Sequence, residues 1–180
     1  MRKKLLEIID KNEIEQLLKK CRVGRLATLG EDGYPYVTPL NYVYFKETVY
    51  FHCALKGEKL TNISRHEKVG FEVDIPLAYL DTNYDKSIPP CEVGQFYQSV
   101  VIRGRAEIVD HMEEKIAALN ALMASHEGLA TFSDITAESK AVALCHVVAV
   151  RIDSVTAKAN LAQKKSAEEK NRISAYLRRR

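Results

Sequence analysis

The chain has 180 residues, of which 46% are hydrophobic and 28% are charged, and these values suit a globular domain. No apolar run approaches the roughly 20 residues of a membrane helix, and the first residues lack a signal-peptide core, so we expect a cytoplasmic protein without a membrane partner. The four cysteines form no C-x-x-C pair, which argues against a structural zinc site and favours reduced thiols.

The net charge of +3 is unevenly distributed along the chain. Eight basic residues and only two acidic residues follow Thr156, so the rest of the chain carries a net negative charge. A basic tail can bind nucleic acid, but the acidic body argues against that as the main function, and we expect a solvated terminal helix. We therefore divide the chain into a domain over residues 1–160 and a basic helical tail over residues 161–180.

The first third of the chain predicts one helix followed by strands. Asp10 is a candidate N-cap, and apolar residues then recur at helical spacing until the helix ends near Cys21. Three strands are predicted next, over Arg22–Leu29, Tyr36–Phe45 and Thr48–Cys53. No long crossover separates these strands, which favours a β-meander. Pro39 cannot donate to a strand ladder, so the second strand should lie at an edge or contain a bulge.

The remainder of the chain predicts three more strands and further helices. The strands are predicted over Lys68–Ile75, Tyr97–Asp110 and residues 144–155, and the helices over residues 58–66, residues 112–126 and the tail after Asn160. Residues 76–96 contain three prolines and little periodicity, which predicts a long loop, and Gly104 predicts a bulge. These elements predict a mainly β (α+β) fold, a six-stranded antiparallel barrel with peripheral helices and a C-terminal helix.

The segment YFHCALKGEKL, residues 50–60, carries the most chemistry. His52 and Cys53 are strand neighbours that point to opposite faces, so they cannot chelate one ion together, and no metal site is predicted. Gly57 permits a close backbone approach, and Lys59 opens a helix whose free N–H groups, with an ammonium, would bind an anion such as phosphate. On this segment alone, a half-buried strand histidine and a solvated lysine are the favoured interpretation, because isolated pairs of this kind are common.

A longer pattern links this segment to a known family. The stretch RLATLGEDGYPYVTPLNYVYFKETVYFHCALKGEKLTNISRHEKVGFEVD resembles the pyridoxamine 5'-phosphate oxidase-like flavin-binding family, and most closely its nitroimidazole-resistance, nitroreductase-like branch. The resemblance runs from about Cys21 to Val155 and includes YQSVVIRGRAEIVD and VVAVRIDSVTAK. It implies a split β-barrel homodimer that binds FMN between its subunits.

The resemblance also implies a set of site residues. The strand that contacts FMN in the family corresponds to Thr38, Pro39, Leu40, Asn41 and Tyr42. His52 and Cys53 match strand-end positions near the flavin, and Lys59 matches the lysine that binds its phosphate. Ser99 matches a position that reaches the flavin of the other subunit. The histidine of the nitroreductase-like branch lies near the flavin, so His52 is the candidate catalytic residue.

The chain departs from pyridoxamine 5'-phosphate oxidase itself at three points. It has Glu58 and Thr38 where that enzyme has arginines, and it contains no tryptophan. These differences favour an FMN-dependent oxidoreductase that reduces a small molecule, such as a nitroaromatic or nitroimidazole compound, with NAD(P)H as a candidate donor. Three alternatives stay open: a flavin-binding module without catalysis, a haem-binding or haem-degrading protein with His52 as an axial ligand, and nucleic-acid binding through the tail.

Overall fold

The computed structural model describes residues 4–127 and 132–179, and within these ranges the strands form one eight-stranded antiparallel sheet. The strands are β1 (Glu7–Ile8), β2 (Val23–Leu29), β3 (Pro35–Asn41), β4 (Val43–Phe45), β5 (Thr48–Cys53), β6 (Lys68–Leu80), β7 (Gly94–Ile108) and β8 (His146–Asn160). The helices are α1 (Lys11–Lys20), α2 (Glu58–Arg65), α3 (Met112–Glu127), α4 (Lys140–Leu144) and α5 (Ala167–Leu177), with 3₁₀ turns at Lys4–Leu6 and Pro90–Glu92. None of the described helices is long and apolar enough to cross a membrane.

The sheet has the order β3-β2-β6-β7-β8-β5-β4, and β1 pairs with β8 beside this path. The β3 and β4 strands lie at opposite ends of that order, yet only Tyr42 separates them in the chain. The sheet therefore curls until its two ends meet without a ladder between them, which is the geometry of a split barrel. The prediction of a mainly β split barrel with peripheral helices and a C-terminal helix is confirmed.

Two details of that prediction are wrong. The strand predicted over Tyr36–Phe45 is divided into two strands, and the short β1 was missed, so the sheet has eight strands instead of six. The β-meander is wrong as well, because β3 and β4 are not neighbours. The division occurs where the side chain of Tyr42 enters the core: its hydroxyl donates to the carbonyl of Leu18 at 2.6 Å, and its ring meets the Phe71 ring edge-on.

The loop predicted over residues 76–96 is shorter than expected. The β6 and β7 strands extend into it as a long hairpin that pairs as far as Leu80 and Gly94. A register shift between Pro76 and Ala78 accommodates the proline, which has no N–H to donate. Only the tip of this hairpin is free of strand structure.

The bulge predicted at Gly104 is confirmed. The register between β7 and β8 shifts between Arg103 and Gly104, and Asp153 is the extra residue on the facing strand. A Cβ atom on Gly104 would lie 2.3 Å from the backbone carbonyl oxygen of Arg151. The two strands approach so closely here that only glycine fits.

Two apolar clusters hold the fold together. The first fills the barrel between the sheet, α1 and α2, and includes Leu26, Phe51 and Phe71. The second lies between α3 and the outer side of β5 and β8. Leu119 and Leu122 of α3 are buried in it, whereas Met112, the first residue of the helix, is 49% exposed.

The basic tail folds back onto the barrel. The α5 helix confirms the predicted C-terminal helix, and its Ile173 is buried beside the β6–β7 hairpin. The hydroxyl of Tyr176 donates to the Asp81 carboxylate at 2.8 Å, and its ring meets that of Tyr84 edge-on. One face of the tail is therefore packed while its basic residues stay mostly exposed.

Candidate functional site

The β5 strand leads from the core to the predicted site. Its first four residues are buried, His52 is exposed and Cys53 is half-buried. Cys53 packs against the barrel cluster, whereas His52 lies on the opposite strand face, as the period-two interpretation predicted. Burial raises the pKa of the Cys53 thiol, and the nearby Lys59 ammonium opposes this rise. Cys53 therefore contributes a neutral thiol beside a cationic side chain.

Four residues separate α2 from β5, and the last of them, Gly57, is the N-cap of the helix. Gly57 has φ of 151° and ψ of 161°, a conformation that is essentially restricted to glycine. Its carbonyl accepts hydrogen bonds from the amides of Leu60 and Thr61, and no side chain caps this end of the helix. The first amides of α2 are therefore available to an anion. Lys59 is half-buried at this terminus, whereas Glu58 is exposed.

A buried polar chain fixes the position of α2. The Asn62 side chain, only 2% exposed, donates from Nδ2 to Thr28 Oγ1 at 3.0 Å. Thr28 in turn donates to the Tyr36 carbonyl at 3.4 Å. These contacts tie the helix to β2 and β3, and Leu60 and Ile63 bury its apolar face in the barrel. The sequence interpretation missed this chain, because Asn62 and Thr28 lie far apart and match no motif.

The β3 strand lies at the end of the sheet and has one edge without a strand partner in the described chain. Thr38 and Leu40 are half-buried, whereas Pro39 and Asn41 are exposed. The edge position predicted from Pro39 is confirmed. Cα atoms of β3 and β5 come within 8 Å of each other across the gap. The residues predicted on these two strands therefore lie on the two sides of the split.

Thr38 has an unusual environment. Its Oγ1 atom is buried and has no hydrogen-bond partner among the described residues. A buried hydroxyl without a partner costs free energy, and such groups in native proteins call for an explanation. A bound ligand that accepts or donates a hydrogen bond at this point would supply one.

Tyr42 differs from the four residues before it. Its ring is buried in the core, and burial raises the pKa of its hydroxyl, which donates to Leu18. Its carbonyl oxygen lies 3.0 Å from His126 Nε2. The resemblance assigned Tyr42 to cofactor binding, and its ring instead packs in the core.

Ser99 lies on a different face from Thr38. Its neighbours in the register are Asp74 and Lys158, and the next residue, Val100, points into the barrel. Ser99 therefore faces outwards, whereas Thr38 pairs with the fully buried Leu26 and faces inwards. The two side chains cannot meet around one ligand within a single chain.

The structure brings two of the predicted residues together, since Cys53 at the end of β5 lies close to the Lys59 ammonium at the start of α2. Thr38 lies on β3 across the split from β5, His52 is exposed on the face of β5 opposite Cys53, and Ser99 faces outwards from β7. The helix amides, the ammonium and the free hydroxyl suit a phosphorylated ligand. Within the described ranges, no group of three or more histidine, cysteine and acidic side chains could hold a metal ion.

The fold and this site define a class of split-barrel proteins, and comparison with known families agrees. The family model described as pyridoxamine 5'-phosphate oxidase matches residues 10–159. The chain belongs to this family, as the sequence resemblance indicated. No curated protein sequence matches the chain.

Several solved structures share the fold. A candidate 5-nitroimidazole antibiotic resistance protein from Bacteroides thetaiotaomicron is 26% identical, with a TM-score of 0.71 over 85% of this chain and 86% of that one. An FAD and heme binding protein from Mycobacterium smegmatis is 18% identical, with a TM-score of 0.75 over 94% and 79% of the two chains. A flavocytochrome from Azotobacter vinelandii is also 18% identical, with a TM-score of 0.73 over 95% and 77%. At 18% identity, these last two resemblances concern the fold.

Proposed function

We propose that this protein is an FMN-dependent oxidoreductase that acts as a homodimer and reduces nitroaromatic compounds. The observation that carries the proposal is a set of polar groups beside the split: the buried Thr38 hydroxyl of β3 has no described partner, and across the split Cys53 of β5 lies close to the half-buried Lys59 at the uncapped start of α2. Membership of the pyridoxamine 5'-phosphate oxidase family supports a flavin as the ligand.

The residues present fit the phosphate of FMN. The Lys59 ammonium would neutralise it, and the amides at the start of α2 would donate hydrogen bonds to it. Glu58 is exposed at the helix surface, and successive helix residues point about 100° apart, so its carboxylate can face solvent instead of the phosphate. Gly57 lets the backbone turn into the helix without a side chain in the way.

The ring system fits the other side of the split. The free edge of β3 offers backbone groups to the polar rim of a flavin, and the hydroxyl of Thr38 would gain a partner there. Pro39 has no N–H, so its part in this contact would be limited to its carbonyl and ring. Bound FMN would supply the hydride and electron transfer, while the protein binds it, orients it and limits access of water.

His52 is the candidate proton carrier. Its side chain is exposed at the end of β5, one residue before Cys53, which lies close to Lys59. An imidazole can act as a general acid, so in this proposal His52 delivers a proton to the reduced substrate. Its exposure also leaves room for a substrate to approach.

The outer face of the sheet supports a homodimer. Four apolar side chains of β2, β3 and β7 are exposed: Val23, Leu29, Val37 and Val101. Val101 lies on the same face as Ser99, so covering this face with a second copy would carry Ser99 towards the partner's split. Sedimentation should give about twice the 20.4 kDa of one chain, and a monomer at micromolar concentration would contradict this part of the proposal.

The substrate class rests on one comparison. The nitroimidazole resistance candidate is 26% identical over 85% of this chain, and its description names nitroimidazole antibiotics. We therefore expect the purified protein to be yellow and, with NADH or NADPH, to reduce a nitroimidazole. Flavin without turnover would indicate a binding module, and a Soret band in place of a flavin spectrum would indicate haem.

The binding site is tested by Lys59→Ala, with Lys20→Ala as the matched control. Lys20 is an exposed lysine at the end of α1 and lies outside the site. We expect Lys59→Ala to weaken FMN binding at least tenfold, because it removes a charge-assisted contact with the phosphate. Flavin content after dialysis and a fluorescence titration measure this. Equal flavin retention by both variants would show that the assignment of Lys59 is wrong.

The role of His52 is tested by His52→Ala in the flavin-loaded protein. We expect the flavin content to stay within about twofold of the parent protein, because the side chain is exposed. Turnover of the nitroimidazole should fall by about 10²-fold, the lower end of general acid–base contributions. Unchanged turnover, with flavin retained, would remove His52 from the mechanism and leave the flavin site intact.

A further inference from the structure

A cavity lies away from the split, between the tail and the β6–β7 hairpin. Its volume is about 480 Å³, within the range of roughly 300–1,000 Å³ that small-molecule sites occupy. Its walls come from the 3₁₀ turn at Lys4–Leu6, the ends of β6, β7 and β8, and the segment that leads into α5. None of the residues proposed above to bind the flavin lines it.

The floor of this cavity is apolar and partly aromatic. Leu80 and Ile173 are buried, and Phe96 and Tyr97 are half-buried beside them. Such a floor accommodates a flat ring system, because aromatic and aliphatic side chains offer broad contact area without polar groups that need partners.

The rim of the cavity is cationic. Four lysines line it, Lys4, Lys158, Lys164 and Lys165, against one carboxylate, that of Glu92. Lys165 is paired with Glu169 at 2.7 Å and with Glu92 at 4.0 Å, and these contacts raise its pKa. The other three lysines form no ion pair with any carboxylate of the described residues. Their charges are available to an anionic ligand.

Lys158 connects the rim to the floor. Its ammonium lies 5.5 Å from the centre of the Tyr97 ring, so the charge is held over an aromatic face. Lys158 is also directly opposite Ser99 in the register of β7 and β8, so the cavity adjoins the outer face of the sheet. Glu7 of β1 is the register partner of Lys158, so its carboxylate offsets part of the positive charge here.

The polar groups in the wall are already satisfied. Gln163 donates to the Ala159 carbonyl at 2.7 Å and accepts from the Leu161 amide at 2.8 Å. Asn160 donates to the Gln95 carbonyl at 2.8 Å. The turn that carries these contacts includes Ala162 at φ 57°, a left-handed conformation that is uncommon outside glycine. The wall is thus internally bonded, and the lysines are the groups left to contact a ligand.

We propose that this cavity binds a phosphorylated anion that carries a ring, of the nucleoside diphosphate class. The lysines of the rim hold the phosphates, and the apolar floor receives the base. None of the side chains proposed above to bind the flavin lines this cavity, and the two ligands are measured separately.

The probe is ADP carrying a fluorescent N-methylanthraniloyl group, titrated into the full-length protein as purified. We expect saturable binding that the double variant Lys158→Ala/Lys164→Ala weakens at least tenfold. The matched double variant Lys20→Ala/Lys140→Ala removes two exposed lysines outside the cavity and should bind within twofold of the parent protein. Absence of saturable binding, or an equal loss in the control, would overturn the proposal.

Cys91 provides a readout of position. It lines the cavity and is exposed, whereas the other three cysteines are half-buried. Unlabelled ADP should slow its alkylation by iodoacetamide at least threefold, as followed by mass spectrometry, and should not do so in the Lys158→Ala/Lys164→Ala variant. Adenosine and pyrophosphate should each protect at least tenfold less efficiently. Protection by pyrophosphate equal to that by ADP would reduce the site to a bare anion site and refute the ring-binding part.

The two proposals fail independently. Flavin content is measured by absorbance, and ADP binding is measured by the fluorescence of the probe and by Cys91 protection. A yellow protein that does not bind ADP would refute only the second site, and a colourless protein that binds ADP would refute only the first.

Discussion

The two sides of this barrel differ in how many of their polar groups find a partner within the chain. On the side formed by β5, β8 and α3, four consecutive residues, Val147–Val150, are fully buried. There the Arg151 guanidinium donates to Glu114 at 2.7 Å, to Glu107 at 2.8 Å and to the Tyr50 hydroxyl at 3.2 Å. This side, the closed side, has apolar packing and paired charges without any ligand.

The other side, the open side, is formed by β3 and the start of α2, and some of its polar groups have no partner. Residues of β3 alternate between half-buried and exposed, the Thr38 hydroxyl has no described partner, and no side chain caps the helix. The closed side therefore stabilises the fold. The open side has polar groups without hydrogen-bond partners, and a ligand can bind to these groups. Three substitutions test this contrast, beginning with the largest expected effect.

The β7 strand, which pairs with β8, should not tolerate an added methyl group at its bulge. Gly104→Ala would place a Cβ 2.3 Å from the carbonyl of Arg151, and backbone on both strands would have to move. We expect the free energy of unfolding to fall by about 3 kcal/mol or more. Urea denaturation measures this.

The neighbouring strand supplies the control for that substitution. A Cβ on Gly70 would meet only the Ala27 Cβ at 3.7 Å, an ordinary contact. We expect Gly70→Ala to change the free energy of unfolding by no more than about 1 kcal/mol. Similar losses in both variants would mean that the close approach at Gly104 is not the cause.

The charged network of the closed side should respond to pH. The hydrogen bond from Tyr50 lowers the pKa of Glu114, and the Arg151 guanidinium adds to this effect. We expect Glu114→Gln to lower the free energy of unfolding at pH 7 by about 1–2 kcal/mol, since the pair is partly exposed. Thermal or urea denaturation at several pH values measures the loss.

The sign of the pH dependence follows from the lowered pKa. A carboxyl group of this kind adds stability above its unfolded pKa of about 4.3, and loses it as the pH falls through the folded value. The gap between Glu114→Gln and the parent protein should therefore shrink below about pH 4.3. Glu113→Gln, on an exposed residue of the same helix, should show no such gap at any pH, and a gap there would assign the effect to the net charge of the helix.

The open side should respond in the opposite direction. Thr38→Val removes a buried hydroxyl that has no described partner, so we expect the flavin-free protein to gain about 1 kcal/mol of stability. The same change should weaken FMN binding, because the ligand loses its hydrogen bond. Denaturation of the flavin-free protein and a flavin titration measure the two effects. A loss of stability with unchanged binding would mean that Thr38 serves the fold and not the ligand.

Local patterns predicted most of the elements well. The helix after Asp10 and the strand from Thr48 to Cys53 follow directly from capping and alternation, and the structure confirms both. The edge position of Pro39 and the bulge at Gly104 were also predictable, because proline lacks a donor and glycine permits a close approach. Each of these features depends on neighbours in the chain.

The sequence predictions were wrong where contacts between residues far apart in the chain determine the structure. No motif marks Tyr42 as the point where the chain leaves one end of the sheet for the other, although Asn41 before it is a weak strand former. The carbonyl of Leu18 and the ring of Phe71 hold it there. The Asn62–Thr28 bond that positions the start of α2 is equally invisible in the sequence.

The sequence by itself determined the mainly β class, the helix that begins near Lys59 and the family to which the chain belongs, because these depend on periodicity and on motifs of adjacent residues. Only the tertiary structure decided that the Tyr42 ring serves the core, that Thr38 faces inwards and Ser99 outwards, and that the tail forms one wall of a cavity. These features depend on packing between residues that are far apart in the chain.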